Sequence, residues 1–260
     1  MTTLQDKVIL ITGGASGLGQ ASAVACARAG AKLALVDLSE EGLAKTKALV
    51  EDAAPGAQVI TQKADVSKEP EVEAYVKATM DAYGRIDGFF NNAGIEGKQN
   101  ETEAYGSDEF RKVLGINLEG VFYGQKHVLK IMKAQGSGSI VNTASVGGIR
   151  GVGNQSGYAA AKHGVVGLTR NSAIEYGQYG VRVNAIAPGA IWTPMVEASF
   201  KQMDAENPEK VAEQFFAANP MKRAGRPEEI SGVVAFLMSD EATFINAAVL
   251  PIDGGQSAKY

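Results

Sequence analysis

The chain has 260 residues, enough for one large or two small domains, and 45% of them are hydrophobic, enough for a substantial core. These values exclude a disordered or fibrous chain. The chain contains 25 Lys and Arg and 29 Asp and Glu, so its formal net charge is −4. It therefore has no excess of basic residues to bind phosphate backbones or anionic lipids. We therefore expect neither a nucleic acid nor a membrane as a partner.

Cysteine and histidine are scarce. The single cysteine, Cys26, and the two histidines, His127 and His163, give neither a disulfide framework nor a zinc-type cluster, so no metal site is predicted. Residues 1–6 lack the basic segment and apolar run of a secretory signal, and no apolar run approaches the roughly 20 residues that span a bilayer. These features favour a reducing cytoplasm as the location.

Short β-branched runs alternate with longer segments of helical period. The first half predicts, in order, strand Val8–Thr12, helix Gly17–Ala29, strand Lys32–Val36, helix Glu41–Asp52, strand Gln58–Gln62, helix Glu69–Tyr83 and strand Ile86–Asn91. The second half predicts helix Glu109–Ala134, strand Ser139–Thr143, helix Tyr158–Tyr176, strand Val181–Ala187, a helix after Pro227 and a strand near Ala248–Pro251. Seven strands separated by helices predict an α/β fold, a single Rossmann-type doubly wound domain spanning 1–260, with helices on both faces of a seven-stranded parallel sheet.

One stretch, Gly189 to Arg226, is only weakly patterned and contains Trp192 and three prolines. An excursion of this length on a single domain is typical of a lid or binding loop. We therefore expect a substrate-binding loop region at about 190–226.

A glycine-rich turn, Thr12-Gly-Gly-Ala-Ser-Gly-Leu-Gly19, lies between the first predicted strand and the first predicted helix. Glycines at 13, 17 and 19 permit a tight turn, a close approach of backbone to pyrophosphate, and packing of the helix on the strand, while the helix N-terminus favours an anion. The alternative is a flexible loop without a ligand. The strand-turn-helix context favours a dinucleotide site.

Asp37 ends the second predicted strand, 18 residues after Gly19, close to the spacing of about 20 for a carboxylate that binds the adenosine ribose. The same charge would repel a 2′-phosphate, and no Lys or Arg lies in the turn or directly after Asp37. We therefore predict NAD rather than NADP. The alternative is that Asp37 is a turn residue. Asp65 and Val66, after the third strand, are placed to meet the adenine.

The candidate catalytic residues are Ser145, at the end of the fifth strand, with Tyr158 and Lys162 one helical turn apart on the next helix. A nearby cation stabilises a phenolate, so Lys162 would lower the Tyr158 pKa toward the range useful in acid–base catalysis. Ser145 would donate a hydrogen bond to a carbonyl oxygen. A Tyr-x-x-x-Lys pair alone is more often an exposed helical pair, and the serine and the nucleotide turn raise its significance here.

Together these residues resemble the short-chain dehydrogenase/reductase family over essentially the whole chain, including Asn91-Asn-Ala-Gly94 and Pro188-Gly189 followed by Thr193. The resemblance implies that Tyr158 is the acid–base, Ser145 orients the substrate, and Lys162 partners both Tyr158 and the nicotinamide ribose. It implies that Asn117, which composition alone would make a helix irregularity, holds a water linking Lys162 to solvent. The cofactor-binding residues implied are Gly13, Ser16, Gly17, Leu18, Gly19, Asp37, Leu38, Asp65, Val66, Asn92, Ala93, Gly94, Tyr158, Lys162, Pro188, Gly189, Ile191 and Thr193.

The expected substrate pocket is mostly apolar, which suits a hydrophobic ketone. Its expected walls are Ile95, Glu96, Ser145, Val146, Trp192 and Met195. Glu96 is either a contact for a substrate hydroxyl or a solvated loop carboxylate.

The function expected from the resemblance is an NAD(H)-dependent oxidoreductase that reduces a bulky or cyclic ketone or dione to the alcohol. One alternative is oxidation of a secondary alcohol or cyclic diol, the reverse step. Another is a catalytically silent NAD-binding scaffold, disfavoured by the intact set of Asn117, Ser145, Tyr158 and Lys162. The resemblance also implies a homotetramer built on helices 109–134 and 158–176 and on the C-terminal strand and helix.

Overall fold

A seven-stranded parallel sheet runs through the centre of the molecule. The computed structural model describes residues 2–259, so Met1 and Tyr260, the ends of the predicted domain, lie outside the described residues. The strands are β1 Val8–Thr12, β2 Lys32–Asp37, β3 Val59–Lys63, β4 Gly88–Asn91, β5 Gly138–Thr143, β6 Val181–Pro188 and β7 Val249–Ile252. They lie in the order β3-β2-β1-β4-β5-β6-β7, and every neighbouring pair is parallel. The predicted doubly wound α/β fold is confirmed.

Helices cover both faces of this sheet. They are α1 Gly17–Arg28, α2 Glu40–Ala53, α3 Glu69–Tyr83, α4 Ser107–Leu114, α5 Gly120–Gln135, α6 Ser156–Tyr176, α7 Pro194–Met203, α8 Pro208–Ala218 and α9 Pro227–Met238. Ile9 and Ile11 of β1 pack into one core with residues of α1, α2 and α9, whereas Leu10 packs into a second core with residues of α3 and α5. Successive side chains of a strand point to opposite faces, so β1 supplies both layers and is buried throughout.

The predicted helix Glu109–Ala134 is interrupted. Between α4 and α5 the chain makes a π-turn over Gly115–Glu119, in which the Gly120 amide donates to the Gly115 carbonyl. Asn117, fully buried in this turn, accepts a hydrogen bond from the Ile95 amide at 2.8 Å and donates one to the Ile95 carbonyl at 2.6 Å. The apolar period continues on both sides, so hydrophobic periodicity alone does not reveal the inserted residue.

The stretch expected to be a loop contains two helices. Both α7 and α8 begin with a proline, Pro194 and Pro208, at a first-turn position where the missing N–H removes no helical hydrogen bond. Phe200 and Phe216 form a small separate core between the two helices. Two of the three prolines that suggested irregular structure are therefore helix starts, and the third, Pro220, lies in the turn after α8.

The strand order reverses between β1 and β4, because the chain leaves these central neighbours in opposite directions. A crevice therefore opens above their carboxyl ends, where open α/β sheets bind ligands. Among residues 2–259, none of the helices combines the length and apolar character needed to cross a membrane.

Helix α2 offers a matched test of the packing, since Leu43 is 2% exposed and Leu49 on the same helix is 48% exposed. We expect Leu43→Ala to lower the free energy of unfolding by about 2–5 kcal/mol, because it leaves a cavity in the α1–α2–α9 core. Leu49→Ala should cost less than about 1 kcal/mol. Urea unfolding of both variants at one protein concentration measures the difference, and equal losses would contradict the assigned packing.

Candidate active site

A cavity of about 360 Å³ lies at the carboxyl edge of the sheet. Nearly all of the residues predicted to bind the cofactor, and half of those predicted to bind substrate, line it. These are Gly13, Ser16, Gly17, Leu18, Asp37, Leu38, Asp65, Val66, Asn92, Ala93, Gly94, Ile95, Ser145, Tyr158, Lys162, Pro188, Gly189, Ile191, Thr193 and Met195. The sheet edge thus brings together residues as distant in sequence as Gly13 and Met195.

Three residues predicted to contact substrate do not lie on the cavity wall. Val146 is buried in the turn after β5, and Trp192 packs on Phe216 with ring centroids 5.6 Å apart. Glu96 turns to other polar side chains beside the cavity. The pattern of apolar residues indicates that a segment lies near the site, but the conformation of its backbone determines which of its side chains line the cavity.

Several wall residues escaped the sequence analysis. They are Val36, Ala64, Ile116, Thr143, Ala144, Pro194 and Val196. Most directly adjoin predicted residues, so extending each strand-end motif by one position would have found them. Ile116 adjoins the predicted Asn117 in the π-turn and not at a strand end, and Thr143 lies two residues before the predicted Ser145.

The glycine turn packs tightly against α1. A Cβ on Gly19 would lie 2.0 Å from the Gly13 carbonyl oxygen. Gly13 has φ +68°, and a Cβ there would lie 2.8 Å from the side-chain amide nitrogen of Asn92. Gly19 is therefore needed for packing, although it does not line the cavity. The contact brings the N-terminus of the 12-residue α1 to the cavity, where its free amides and dipole favour a phosphate.

The Asp37 carboxylate is fixed at the next strand end. One oxygen accepts a hydrogen bond from the Ala15 amide at 3.1 Å and the other from the Ser39 amide at 3.0 Å. Among the described residues on the cavity wall, Lys162 is the only Lys or Arg. The glycine cradle and this carboxylate fit a pyrophosphate and an adjoining ribose, and this part of the wall offers no cation to a further phosphate.

Hydroxyl and amide groups tie the central strand ends together. The Thr12 hydroxyl accepts from the Asn92 amide at 2.9 Å and from the Ala93 amide at 3.1 Å. The Thr143 hydroxyl donates to the Asn92 side-chain oxygen at 3.0 Å. The ends of β1, β4 and β5 are therefore held in one arrangement across the floor of the cavity.

Ser145, Tyr158 and Lys162 meet at this floor. The Ser145 hydroxyl accepts from the Gly147 amide at 3.1 Å, which leaves its own proton free for another acceptor. The buried Lys162 ammonium donates to the Thr143 carbonyl at 2.7 Å and lies 5.6 Å from the centroid of the Tyr158 ring. A Cβ on Gly148 would come within 2.7 Å of the Lys162 carbonyl, so the glycine lets α6 approach the serine turn.

The ionisation of the two helix residues differs from the sequence expectation. Burial raises the pKa of Tyr158, and the Ser145 side chain opposes that rise. Burial lowers the pKa of Lys162 to about 8. The expected lowering of the Tyr158 pKa by Lys162 is therefore not found: desolvation of the phenolate outweighs the hydrogen bond with Ser145, and the Lys162 ammonium donates to the Thr143 carbonyl.

Asn117 lies behind Lys162, off the cavity wall. A Cβ on Gly94 would be 3.0 Å from the Asn117 side-chain oxygen and 3.6 Å from the Lys162 nitrogen. The absence of a side chain at Gly94 therefore leaves space between the two polar groups. Asn117 and Lys162 therefore lie on either side of the same small space beside Gly94.

Comparison with known proteins agrees with this geometry. The family model described as enoyl-(acyl carrier protein) reductase matches residues 13–257. Levodione reductase of Leifsonia aquatica is 68% identical over 259 residues, which cover 100% of this chain and 97% of that protein. Cyclohexanol dehydrogenase of Acinetobacter sp. (strain SE19) is 38% identical over 254 residues, which cover 98% of this chain and 96% of that protein.

Solved structures give the same result. The crystal structure of levodione reductase superposes with a TM-score of 0.98 at 68% identity, covering 98% of this chain and 99% of that one. The crystal structure of NAD⁺-bound xylitol dehydrogenase gives a TM-score of 0.92 at 37% identity, covering 96% of this chain and 99% of that one. With its sheet order, its glycine turn and its Ser-Tyr-Lys cluster, this chain belongs to the short-chain dehydrogenase/reductase family of oxidoreductases.

Proposed function

We propose that this enzyme interconverts a ketone and a secondary alcohol with NAD(H), and that it reduces a bulky or cyclic ketone or dione. The observation that carries the proposal is a single cavity that runs from the glycine turn and Asp37 to Ser145, Tyr158 and Lys162. A dinucleotide cradle and a proton donor thus share one space. Such an arrangement suits a carbonyl placed between a hydride source and an acid.

The cofactor we propose is NAD. The Asp37 carboxylate keeps acceptor capacity beyond its two backbone hydrogen bonds and can receive ribose hydroxyls. It would repel a 2′-phosphate, for which the described wall residues provide no cation at that end. Bound here, NADH would supply the hydride that reaches the carbonyl carbon. The NAD⁺-bound relative supports this choice.

The protein residues would handle the proton and the oxygen. Tyr158, neutral because burial raises its pKa, would donate its phenolic proton to the carbonyl oxygen. The free Ser145 proton would hydrogen-bond the same oxygen as negative charge develops on it. In the oxidative direction the Tyr158 phenolate would accept the proton of the alcohol, and Ser145 would hydrogen-bond the alcohol oxygen.

Lys162 would stabilise the tyrosinate left after proton transfer and bind the nicotinamide ribose with its remaining N–H groups. Its hydrogen bond to Thr143 uses one of three protons and fixes the ammonium beside Tyr158. Asn117 would hold a water in the space beside Gly94 and connect Lys162 to solvent. These assignments give Ser145, Tyr158, Lys162 and Asn117 each a role in moving or holding the proton.

The substrate would contact an apolar wall. Ile95, Ile116, Met195 and Val196 contribute apolar side chains to the cavity wall, which also contains the polar residues Ser145, Tyr158 and Lys162. A hydrophobic ring suits this wall better than a charged or polyhydroxylated chain. Levodione reductase and cyclohexanol dehydrogenase, both named for cyclic substrates, support the choice.

Two expectations stay predictions. The homotetramer is supported by Phe122 on α5 and Ile174 on α6, large apolar side chains that are 45% and 80% exposed. A cytoplasmic location is consistent with a buried, unpaired Cys26. The silent-scaffold alternative has no observation in its favour.

Replacing Tyr158 with Phe should lower kcat by at least about 100-fold, because the proton donor is lost. NADH affinity, measured by fluorescence titration, should stay within about threefold. Tyr75→Phe is the matched control, since the buried Tyr75 hydroxyl has no hydrogen-bond partner among residues 2–259 and Tyr75 does not line the cavity. Parallel loss of NADH affinity and turnover in Tyr158→Phe would sink the assignment.

Asp37→Asn should shift the ratio of kcat/KM for NADH over NADPH toward NADPH by about tenfold or more, because the charge that repels the 2′-phosphate is removed while the side-chain shape is kept. Steady-state kinetics with both cofactors on one ketone give the ratio. A wild-type enzyme that prefers NADPH would contradict the role of Asp37.

Lys162 should contribute a pH dependence to stability. Its pKa of about 8 in the folded protein lies below the ordinary value of 10.5, so the unfolded chain binds more protons between these values and stability rises with pH in that window. Urea unfolding of wild type and Lys162→Met between pH 8 and 10 isolates the effect. The free energy of unfolding should rise with pH more steeply in wild type, and parallel curves would exclude the depressed pKa.

A further inference from the structure

A second polar cluster lies beside the cavity. The Glu96 Oε1 atom accepts hydrogen bonds from the Ser199 hydroxyl at 2.8 Å, from the Gln99 amide at 3.1 Å and from the Gln155 amide. Gln99 also donates to the Ser199 oxygen at 2.8 Å. One carboxylate oxygen therefore joins three segments: the loop after β4, the residue before α6, and the middle of α7.

These contacts fasten α7 to the catalytic side of the molecule. Helix α7 packs chiefly on α8, through the core that contains Phe200 and Phe216. Its ties to the loop after β4 are polar, made by Ser199 to Glu96 and by Gln202 to the Gly97 carbonyl at 3.2 Å. The position of α7 over the cavity therefore depends on this loop.

The first turn of α7 forms part of the cavity wall. Pro194, Met195 and Val196 line it, and Ser199 lies one turn further along the same helix. Gln155, three residues before Tyr158, donates its side-chain amide to the same Glu96 oxygen that Ser199 contacts. A shift of α7 relative to Glu96 would thus move the apolar wall relative to the catalytic tyrosine.

We propose that Glu96 is a positioning residue that seats α7 through Ser199, and thereby sets the affinity for the ketone. This inference rests on the proposed function, because it assigns the ketone to the side of the cavity that α7 walls. Glu96 acts through the helix and does not contact the substrate. Its second oxygen, Oε2, is buried without a hydrogen-bond partner among the described residues, so the three observed bonds need only one acceptor oxygen.

The test compares Glu96→Ala, Glu96→Gln and Ser199→Ala, with the exposed neighbour Glu101→Ala as control. With levodione as the probe and saturating NADH, Glu96→Ala should raise KM about tenfold or more, the effect of losing hydrogen bonds to a charged group, while kcat changes by less than about threefold. Glu96→Gln should stay near wild type, because its amide oxygen can accept the same bonds. Ser199→Ala should raise KM in the same direction as Glu96→Ala.

A readout without turnover accompanies the kinetics. Limited proteolysis within α7 should be faster in Glu96→Ala and Ser199→Ala than in wild type and Glu101→Ala, while NADH affinity stays unchanged in all four. The proposal would be overturned if KM is unchanged in Glu96→Ala, or if Glu96→Gln raises KM as much as Glu96→Ala does. It would also be overturned if Glu96→Ala raises KM while Ser199→Ala keeps the wild-type value. Equal proteolysis rates would overturn it as well.

Failure of the proposed function looks different. It would appear as a wild-type enzyme that turns over neither levodione nor another cyclic ketone, whatever the variants do. The proteolysis comparison would still decide whether Glu96 seats α7. If Glu96→Ala does not fold, Ser199→Ala supplies the same comparison from the other end of the hydrogen bond.

Discussion

The hydrogen bond from the Lys162 ammonium to the Thr143 carbonyl organises the catalytic end of this protein. Burying a cation is costly unless a polar group compensates it, and here the compensating group is the backbone at the end of β5. The bond therefore fixes helix α6 against the sheet at the point where Ser145 leaves it. Tyr158, one turn earlier on α6, takes its position from the same contact.

The cofactor end depends on a different kind of constraint, close backbone packing. Gly13 and Gly19 bring the start of α1 so near the end of β1 that no side chain fits between them. The two ends of the cavity are then connected through Thr12, Asn92 and Thr143, whose hydrogen bonds run across three adjacent strands. Because these links are direct hydrogen bonds between adjacent strand ends, the distance between the dinucleotide turn and the catalytic floor is set by the sheet itself.

Much of this arrangement could be predicted from the sequence. The alternation of strands and helices predicted the parallel sheet, and strand-end motifs such as those at Asp37 and Asn92 predicted which residues share its carboxyl edge. These predictions succeed because parallel strands all end at one edge, so position in the chain translates into position in space.

Other features depend on contacts that no local pattern records. The directions of Glu96 and Trp192 away from the cavity follow from partners about a hundred and about twenty residues away, Ser199 and Phe216. The direction of the Tyr158 pKa shift follows from how much water the folded chain excludes. Helices α7 and α8 were missed because a proline can either break or begin a helix, and packing decides between these outcomes.

The π-turn at Gly115–Glu119 has a consequence for how this segment tolerates changes in length. A π-turn is equivalent to one extra residue in an α-helix, and here that residue allows Asn117 to hold the Ile95 backbone. Deleting a single residue between α4 and α5 would restore regular helical pairing, and would rotate one helix against the other by about 100°. The segment would become a better helix by every local criterion, yet the support beneath Ile95 and beside Lys162 would be lost. A regular α-helix and the contact between Asn117 and Ile95 are thus incompatible at this position, and the structure has the π-turn that permits the contact.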